Sequence, residues 1–495
     1  MAESKPLIPS TPPHVLIFPF PIQGHINSML KLAEILCISG INVTFVNTQQ
    51  NHSRLLTLGN VQSRFSQFPG FGFETVPDGL SEDQHHSSGF TSHQDFVKDG
   101  IHRMHNVTRP AFRELLISDR FKLAVRGPVS CIITDGMSGF AIDVAQELEI
   151  PSISFRTVSA CCIWIYLCFP KLVENGDMPF KVEDMDRLVR SVPEMESFLR
   201  CRDLPSFFRP TEANHPGLDF INRETSHSMG ATAHIVNTFD DIEAPILAQM
   251  RSYWPNLYAI GPLNALLNAL RSRTTTKVSS SLPVSSNASL YPEDGSCMTW
   301  LDKQPDKSVV YVSFGSIAMV TPEQWVEIWY GLVNSSHRFL WVRRPDWILA
   351  KDGQESQIQA ELVEATKERG YVVSWAPQEE VLNHPAVGGF FTHSGWNSTL
   401  ESMVAGVPMV CWPHLGDQQV NSRYVSEVWK IGMDMKDNCN RLTVEKLIRE
   451  MMGDKREELM KSAVKVAEMA RKSVSHDGSS YRNYEALLEF IRKSR

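Results

Sequence analysis

Short apolar runs separated by amphipathic stretches set the strongest limit on how this chain folds. Val15–Phe20 reads VLIFPF and Ile41–Val46 reads INVTFV. Between them, Asn27 begins a pattern in which Met29, Leu30, Leu32, Ala33 and Leu36 are apolar, and Gly40 closes it. That spacing predicts a helix, with glycine just past its end. Strand, helix, strand implies a parallel pair, because parallel neighbours need a crossover of about a dozen residues or more. Val129–Thr134, Ser152–Phe155 and His234–Asn237 are further strand candidates. A Ser/Thr-rich stretch follows Ile260-Gly261-Pro262, and the alternation then resumes at Val309–Phe314, Phe339–Val342, Tyr371–Ser374, Gly389–Thr392 and Met409–Trp412. The fold class is therefore α/β, with two mostly parallel sheets and a cleft between them as the default ligand site.

A length of 495 residues agrees with two domains, since a single core of that size is uncommon. A net charge of -8 provides no basic patch, so nucleic acid is excluded as a partner. The start, MAESKPLIPSTPPHV, has no basic region leading into an apolar core, and the apolar run Ala160–Phe169 is too short to cross a bilayer. Nine scattered cysteines without a CxxC pair suggest reduced, buried thiols. A cytoplasmic protein without a transmembrane segment is expected. His85, His86, His93, His102 and His105 match no standard metal-ligand spacing, so no metal site is expected. No GxGxxG follows a strand, which disfavours a nicotinamide enzyme, and there is no P-loop pattern.

The chemistry-bearing block is Trp375–Gln418. Phe390-Phe391-Thr392 ends a strand, His393-Ser394-Gly395 turns, and Trp396-Asn397-Ser398 opens a helix running to Gly406. A helix start after a strand presents free N–H groups and a positive dipole end, which suit a diphosphate. His393, Asn397 and Ser398 add donors, Glu401 lies one turn in where a carboxylate can accept ribose hydroxyls, and Trp375 can stack on a base. Taken singly, Asn397 and Ser398 serve equally well as helix caps and Trp375 as core. Asp417-Gln418, carboxylate beside amide, suits sugar hydroxyls, although alone it also suits a solvated loop.

In the first half, His25 falls at the first strand–helix turn and Asp135 at another strand end. An Asp that orients a His makes a general base. The residues alone leave open a helix-capping His and a turn Asp. A hydrolase using this pair with water remains open too, although no nucleophile elbow is present.

With these residues in place, the chain resembles plant family-1 UDP-glycosyltransferases. Trp375–Gln418 matches their 44-residue signature box from opening Trp to closing Gln, and PFPIQGHINSMLKLA and VVYVSFGS extend the likeness. The resemblance implies a GT-B fold, two Rossmann-like doubly wound domains facing across a cleft. It implies an acceptor domain over residues 1–262, a UDP-sugar domain over 296–475, and a last helix over 476–495 that returns to the first domain, while the Ser/Thr-rich composition of 263–295 reads as a flexible linker between them. His25 would be the base and Asp135 its partner. Trp375 would stack on uracil, with Ala376 and Gln378 bonding base or ribose. His393, Trp396 (partly through its backbone), Asn397, Ser398 and Ser316 would hold the diphosphate, Glu401 the ribose, and Asp417, Gln418 and Thr157 the sugar. Gly416, Leu415, Ile22, Phe90 and Phe140 would line the acceptor pocket. Many relatives have Pro where Ser28 stands, Cys at Ser394, and Trp or Phe near Arg156. The implied reaction is metal-independent, inverting transfer of glucose from UDP-glucose, the co-substrate, by a monomer. Its acceptor would be a small lipophilic hydroxyl or carboxyl compound, terpenoid or iridoid first, flavonoid or other phenolic second. A catalytically silent UDP-sugar-binding protein is the alternative of another class.

Overall fold

The computed structural model describes residues 12–79, 103–123, 126–209, 216–275, 289–318, 320–344, 367 and 369–494. Two wholly parallel sheets organise them. The first contains β1 (His14–Phe18), β2 (Asn42–Thr48), β3 (Phe71–Val76), β4 (Cys131–Asp135), β5 (Ser152–Arg156), β6 (Ala233–Val236) and β7 (Leu257–Ala259). Its order is β3-β2-β1-β4-β5-β6-β7. The second contains β8 (Val309–Ser313), β9 (Arg338–Val342), β10 (Gly370–Val373), β11 (Val387–Thr392), β12 (Met409–Cys411) and β13 (Gly432–Asp434), in the order β10-β9-β8-β11-β12-β13. The α/β, GT-B-like arrangement expected from the sequence is the one found.

The central strands are apolar throughout because both faces are covered. On β1, Val15 and Ile17 enter one core while Leu16 and Phe18 enter the core on the opposite face. On β8, Val309 and Tyr311 face one way, and Val310 and Val312 the other. Edge strands carry less of this signal. β3 is mostly half-buried, while β7 and β13 have three residues each, which is why the sequence did not mark them.

The helices that matter for the site are α1 (Gln23–Ile38), α2 (Phe140–Glu147), α3 (Leu263–Thr275), α4 (Gln378–Asn383), α5 (Trp396–Ala405), α6 (Gln418–Arg423) and α7 (Ser479–Lys493). Helix α1 begins four residues before the expected Asn27, so His25 stands in its first turn and not in a preceding loop. The expected linker starts too early as well. Leu263, Leu266, Leu267 and Leu270 are buried at helical spacing in the first sheet's core, so 263–275 is packed helix. The Ser/Thr-rich composition that suggested a linker belongs to the residues that follow, of which 276–288 lie outside the described residues.

Helix α7 packs on the first sheet. Ser480 Oγ donates to Gly261 O at 2.5 Å, Tyr484 Oη lies 2.5 Å from Ser39 Oγ, and Leu487 and Ile491 are buried in that core. The halves also share apolar contacts. Val420 and Tyr424 join the cluster of Cys161, Ile163 and Leu199, while Phe239 and Ile242 join the second sheet's core. No helix among the described residues is long and apolar enough to cross a membrane.

Candidate active site

The carboxyl ends of the two sheets face one cleft, which encloses about 1080 Å³ with open solvent included. That is at or above the usual size of a small-molecule site, about 300–1,000 Å³. On the first rim, His25 Nδ1 lies 2.6 Å from Asp135 Oδ2 and 2.9 Å from Thr157 Oγ1. Asp135, the last residue of β4, is fully buried, and its other oxygen accepts the Met137 N–H at 2.9 Å. An ionised carboxylate only accepts, so the proton stays on Nδ1 and Nε2 keeps its lone pair. His25 is partly exposed and lines the cavity. Thr157 also lines the cavity, yet its hydroxyl is turned to His25, a supporting contact that the sequence did not suggest.

On the second rim, the start of α5 decides between cap and ligand site. Its N-cap is Gly395, which has no capping side chain. Asn397 and Ser398 lie inside the helix, so neither is the cap, and no capping side chain claims the first N–H groups. Asn397 Nδ2 donates to Gly24 O at 2.8 Å, and its Oδ1 lies 2.8 Å from Ser28 Oγ. One of its two amide protons remains. Ser398 Oγ accepts from Gln378 Nε2 at 2.9 Å. The Trp396 indole points away from the expected diphosphate position and donates to Asn237 O at 2.7 Å, so only its backbone faces the helix start.

His393 sits behind that helix start with Gly315 and Gly395 on either side. A Cβ on either glycine would run into the imidazole, and Gly315 has φ +73°, where a side chain is strained. Burial, opposed by a bond with the Ser313 backbone and helped by Arg344, lowers its pKa to about 4. The ring is thus neutral at pH 7 with a single N–H, for which a bound diphosphate and the Ser313 backbone compete. Ser316 lies on the same turn, and its carbonyl accepts from Arg344.

Trp375 follows β10, with one ring face covered by Tyr291 at 4.5 Å between centroids, which leaves one face for a base. Ala376 lines the cavity beside it. Gln378 is held by three groups: Nε2 donates to Ser398 Oγ and, at 2.7 Å, to Glu401 Oε2, while Oε1 accepts from Tyr311 Oη at 3.2 Å. Glu401 is 6% exposed, and burial, opposed by Lys31, raises its pKa.

Asp417 and Gln418 close the cleft between the rims. Burial raises the pKa of Asp417 to about 6, against the bond from Asn421 Nδ2 at 2.7 Å and the nearby His25. Gln418 Oε1 accepts the N–H groups of His414 (2.8 Å) and Leu415 (2.9 Å), so the amide orientation is fixed with its NH₂ as the remaining donor. An acceptor beside a donor suits a sugar's vicinal hydroxyls.

The acceptor residues divide. Ile22 lines the cavity. Phe90 lies outside the described residues. Phe140 is a correction: it is 1% exposed, packed against Phe18 and Phe112 beneath α2, because a bulky ring at this helix start fills the core under the sheet. Leu415 and Gly416 are half-buried in the turn after β12, where Gly416 exchanges hydrogen bonds with Ser206, and neither lines the cavity. Sequence reasoning missed Lys31, Glu379 and Tyr291, and noted Ser28 only as a departure from relatives. The one available signal was a lysine inside the apolar run MLKLA.

Two facing parallel sheets, a hydrogen-bonded His–Asp pair on one rim, and an uncapped helix N-terminus near Trp375 on the other suit an enzyme that transfers a group from a nucleotide diphosphate. Comparison with known proteins is specific. Residues 288–466 match the family described as UDP-glucoronosyl and UDP-glucosyl transferase. The chain is 53% identical to a 7-deoxyloganetic acid glucosyl transferase of Catharanthus roseus, covering 97% of this chain and 98% of that one. It is 39% identical to a 7-deoxyloganetin glucosyltransferase of the same plant over 98% of this chain and 97% of that one. The crystal structure of Os79 from O. sativa in complex with UDP superposes with a TM-score of 0.77 at 28% identity, covering 97% of this chain and all of that one. The chain belongs to this family and is a UDP-dependent glycosyltransferase.

Proposed function

We propose that the protein transfers glucose from UDP-glucose to a small lipophilic plant metabolite with inversion, giving a β-glucoside, and that the acceptor is an iridoid of the 7-deoxyloganetic acid type. The acceptor class rests on the 53% identical relative. The mechanism rests on one observation, the 2.6 Å His25–Asp135 bond on the rim facing the uncapped start of α5. In this reading the first half of the chain holds the acceptor and the second half the donor.

His25 Nε2 takes the proton from the acceptor oxygen as that oxygen attacks the anomeric carbon. The carbon–oxygen bond to UDP breaks on the opposite side. The charge left on the diphosphate is met by the backbone N–H groups of α5, the remaining Asn397 amide proton and neutral His393. Trp375 stacks on the base, Glu401 accepts ribose hydroxyls, and Asp417 with Gln418 reads the sugar. Chain groups alone carry these steps, so no metal enters the reading. All the residues given roles here come from one chain, which supports a monomer as the acting unit, and we assign it to the cytoplasm.

The test is an acceptor screen with UDP-glucose, read by product mass, for the native protein and His25→Ala. An iridoid glucoside from the native protein and a drop of about 10²–10⁴-fold in kcat for the variant support the reading. Phenolic glucosides alone would overturn the acceptor class. Undiminished turnover in His25→Ala would overturn the mechanism.

A further inference from the structure

Helix α1 does more than carry His25. Three residues spaced by three, His25, Ser28 and Lys31, wind down one side of it, each about 60° around the helix from the last. His25 faces the cleft, and Ser28 meets Asn397 across it. Lys31 is only 4% exposed, an unusual place for a lysine unless it is paired. Its Nζ bonds Glu379 Oε1 of α4 and lies 3.3 Å from Glu401 Oε1 of α5, both on the other half of the chain. Glu379 and Glu401 are 7% and 6% exposed.

Both oxygens of Glu401 are thereby oriented. Oε1 faces Lys31, and Oε2 takes the Gln378 amide. A carboxylate has about four lone-pair positions, so about two remain for a diol. Glu401 lines the cavity and Lys31 does not, so any effect of Lys31 on a ligand must pass through Glu401. Two buried carboxylates this close to one ammonium would resist joint ionisation without it. Further out on the first half, Arg64, which also feels Glu379 across the junction, bonds Glu34 at 2.5 Å, and Glu34 accepts from Arg271 at 2.7 Å, so three cations alternate with three carboxylates. Tyr311 and Ser398, through Gln378, and Glu293 on the cavity wall complete the polar groups around Glu401.

We propose that Lys31 is a positioning residue for the donor, holding Glu401 as a charged acceptor aimed at the ribose diol, so that the nucleotide is read correctly only when the two halves are apposed. This rests on the assignment of Glu401 to ribose. It adds a donor-specificity role to a helix of the acceptor side. Without Lys31, Glu401 keeps a proton to higher pH, because burial and Glu379 both oppose its charge. The carboxylate then loses acceptor capacity near neutrality and regains it as pH rises.

The experiment compares UDP with 2′-deoxy-UDP by calorimetry, at about pH 6, 7 and 8.5, for the native protein, Lys31→Met and Lys31→Arg. A hydrogen bond to a charged group corresponds to roughly tenfold or more in affinity, so the native protein prefers UDP by about that factor. In Lys31→Met the preference falls to about twofold at pH 6 and 7 and recovers toward pH 8.5, and Lys31→Arg restores it. With donor saturating, kcat changes by less than about twofold, and KM for UDP-glucose rises. A Lys31→Met variant that binds UDP more weakly but keeps the native preference at every pH would overturn the inference. Glu379→Gln leaves Lys31 to Glu401 alone and must keep the preference; losing it there also overturns the inference, and this arm stands if Lys31→Met does not fold. Glu401→Gln with an unchanged preference would overturn the ribose assignment itself, a separate failure.

Discussion

Asp135→Asn is the sharpest probe of the proposed chemistry, because two hydrogen bonds compete for what the substitution leaves. In the native site one carboxylate oxygen accepts the Met137 N–H and the other faces His25 Nδ1. Asparagine has a single oxygen. If it stays with Met137, the amide NH₂ faces Nδ1, drives the ring proton to Nε2, and leaves no base toward the acceptor. If it turns to His25, two donors oppose each other at Met137. In either case the imidazolium formed during proton transfer loses its counter-charge. Unit charges about 4 Å apart at an effective dielectric of about 20 interact by about 4 kcal/mol. His25 is partly open to solvent, which trims this to about 3 kcal/mol. At about 1.4 kcal/mol per tenfold, kcat should fall by about 10²–10³. The assay is kcat at saturating UDP-glucose and acceptor, with calorimetric UDP affinity as the control, which should stay within about twofold. A variant that retains more than about a tenth of native kcat, with UDP binding intact, would refute the base assignment.

Other expectations concern the donor side. On the proposed role Asp417 accepts sugar hydroxyls, more strongly as a carboxylate than as the acid, and burial raises its pKa to about 6, so KM for UDP-glucose should fall as pH rises through about 6. Asp417→Asn should raise that KM and flatten its pH profile; a native profile already flat from about pH 5 to 8 would contradict the role. Gly315→Ala places a methyl against His393 at positive φ, a strain of order 1–3 kcal/mol, and should weaken UDP binding measured by calorimetry by about tenfold or more. Gln418→Glu keeps an oxygen for the His414 and Leu415 N–H groups but removes the donor. KM for UDP-glucose should therefore rise by about tenfold while the affinity for UDP itself, titrated separately, changes little.

The sequence made the central strands legible because burial on both faces forces unbroken apolar runs, as at Val309–Ser313. Strand ends therefore showed where the candidate site had to sit: Asp135 ends β4, His393 follows β11, and His25 stands in the first turn of the helix after β1. Edge strands such as Gly432–Asp434 are too short for periodicity to mark. Helix Leu263–Thr275 was hidden by composition, since its apolar stripe runs directly into serines and threonines. Phe140 was misjudged because an aromatic ring at the start of a helix looks the same in sequence whether it points into a cleft or into the core. Contacts across the cleft were the least legible. Nothing local links Lys31 to Glu401 or Ser28 to Asn397, residues some 370 positions apart that only the closed arrangement of two domains brings together.

The spacing of His25, Ser28 and Lys31 along one helix makes α1 a measuring rod. At 1.5 Å per residue the base stands about 9 Å from the lysine that meets the opposite half. A helix of this length is stiff, so the distance from the Lys31 grip on the opposite half to His25 is set by backbone geometry. A substitution elsewhere on the first half that leaves α1 in place therefore leaves that distance unchanged. For an engineer, α1 is the part to leave untouched while everything around the acceptor is varied.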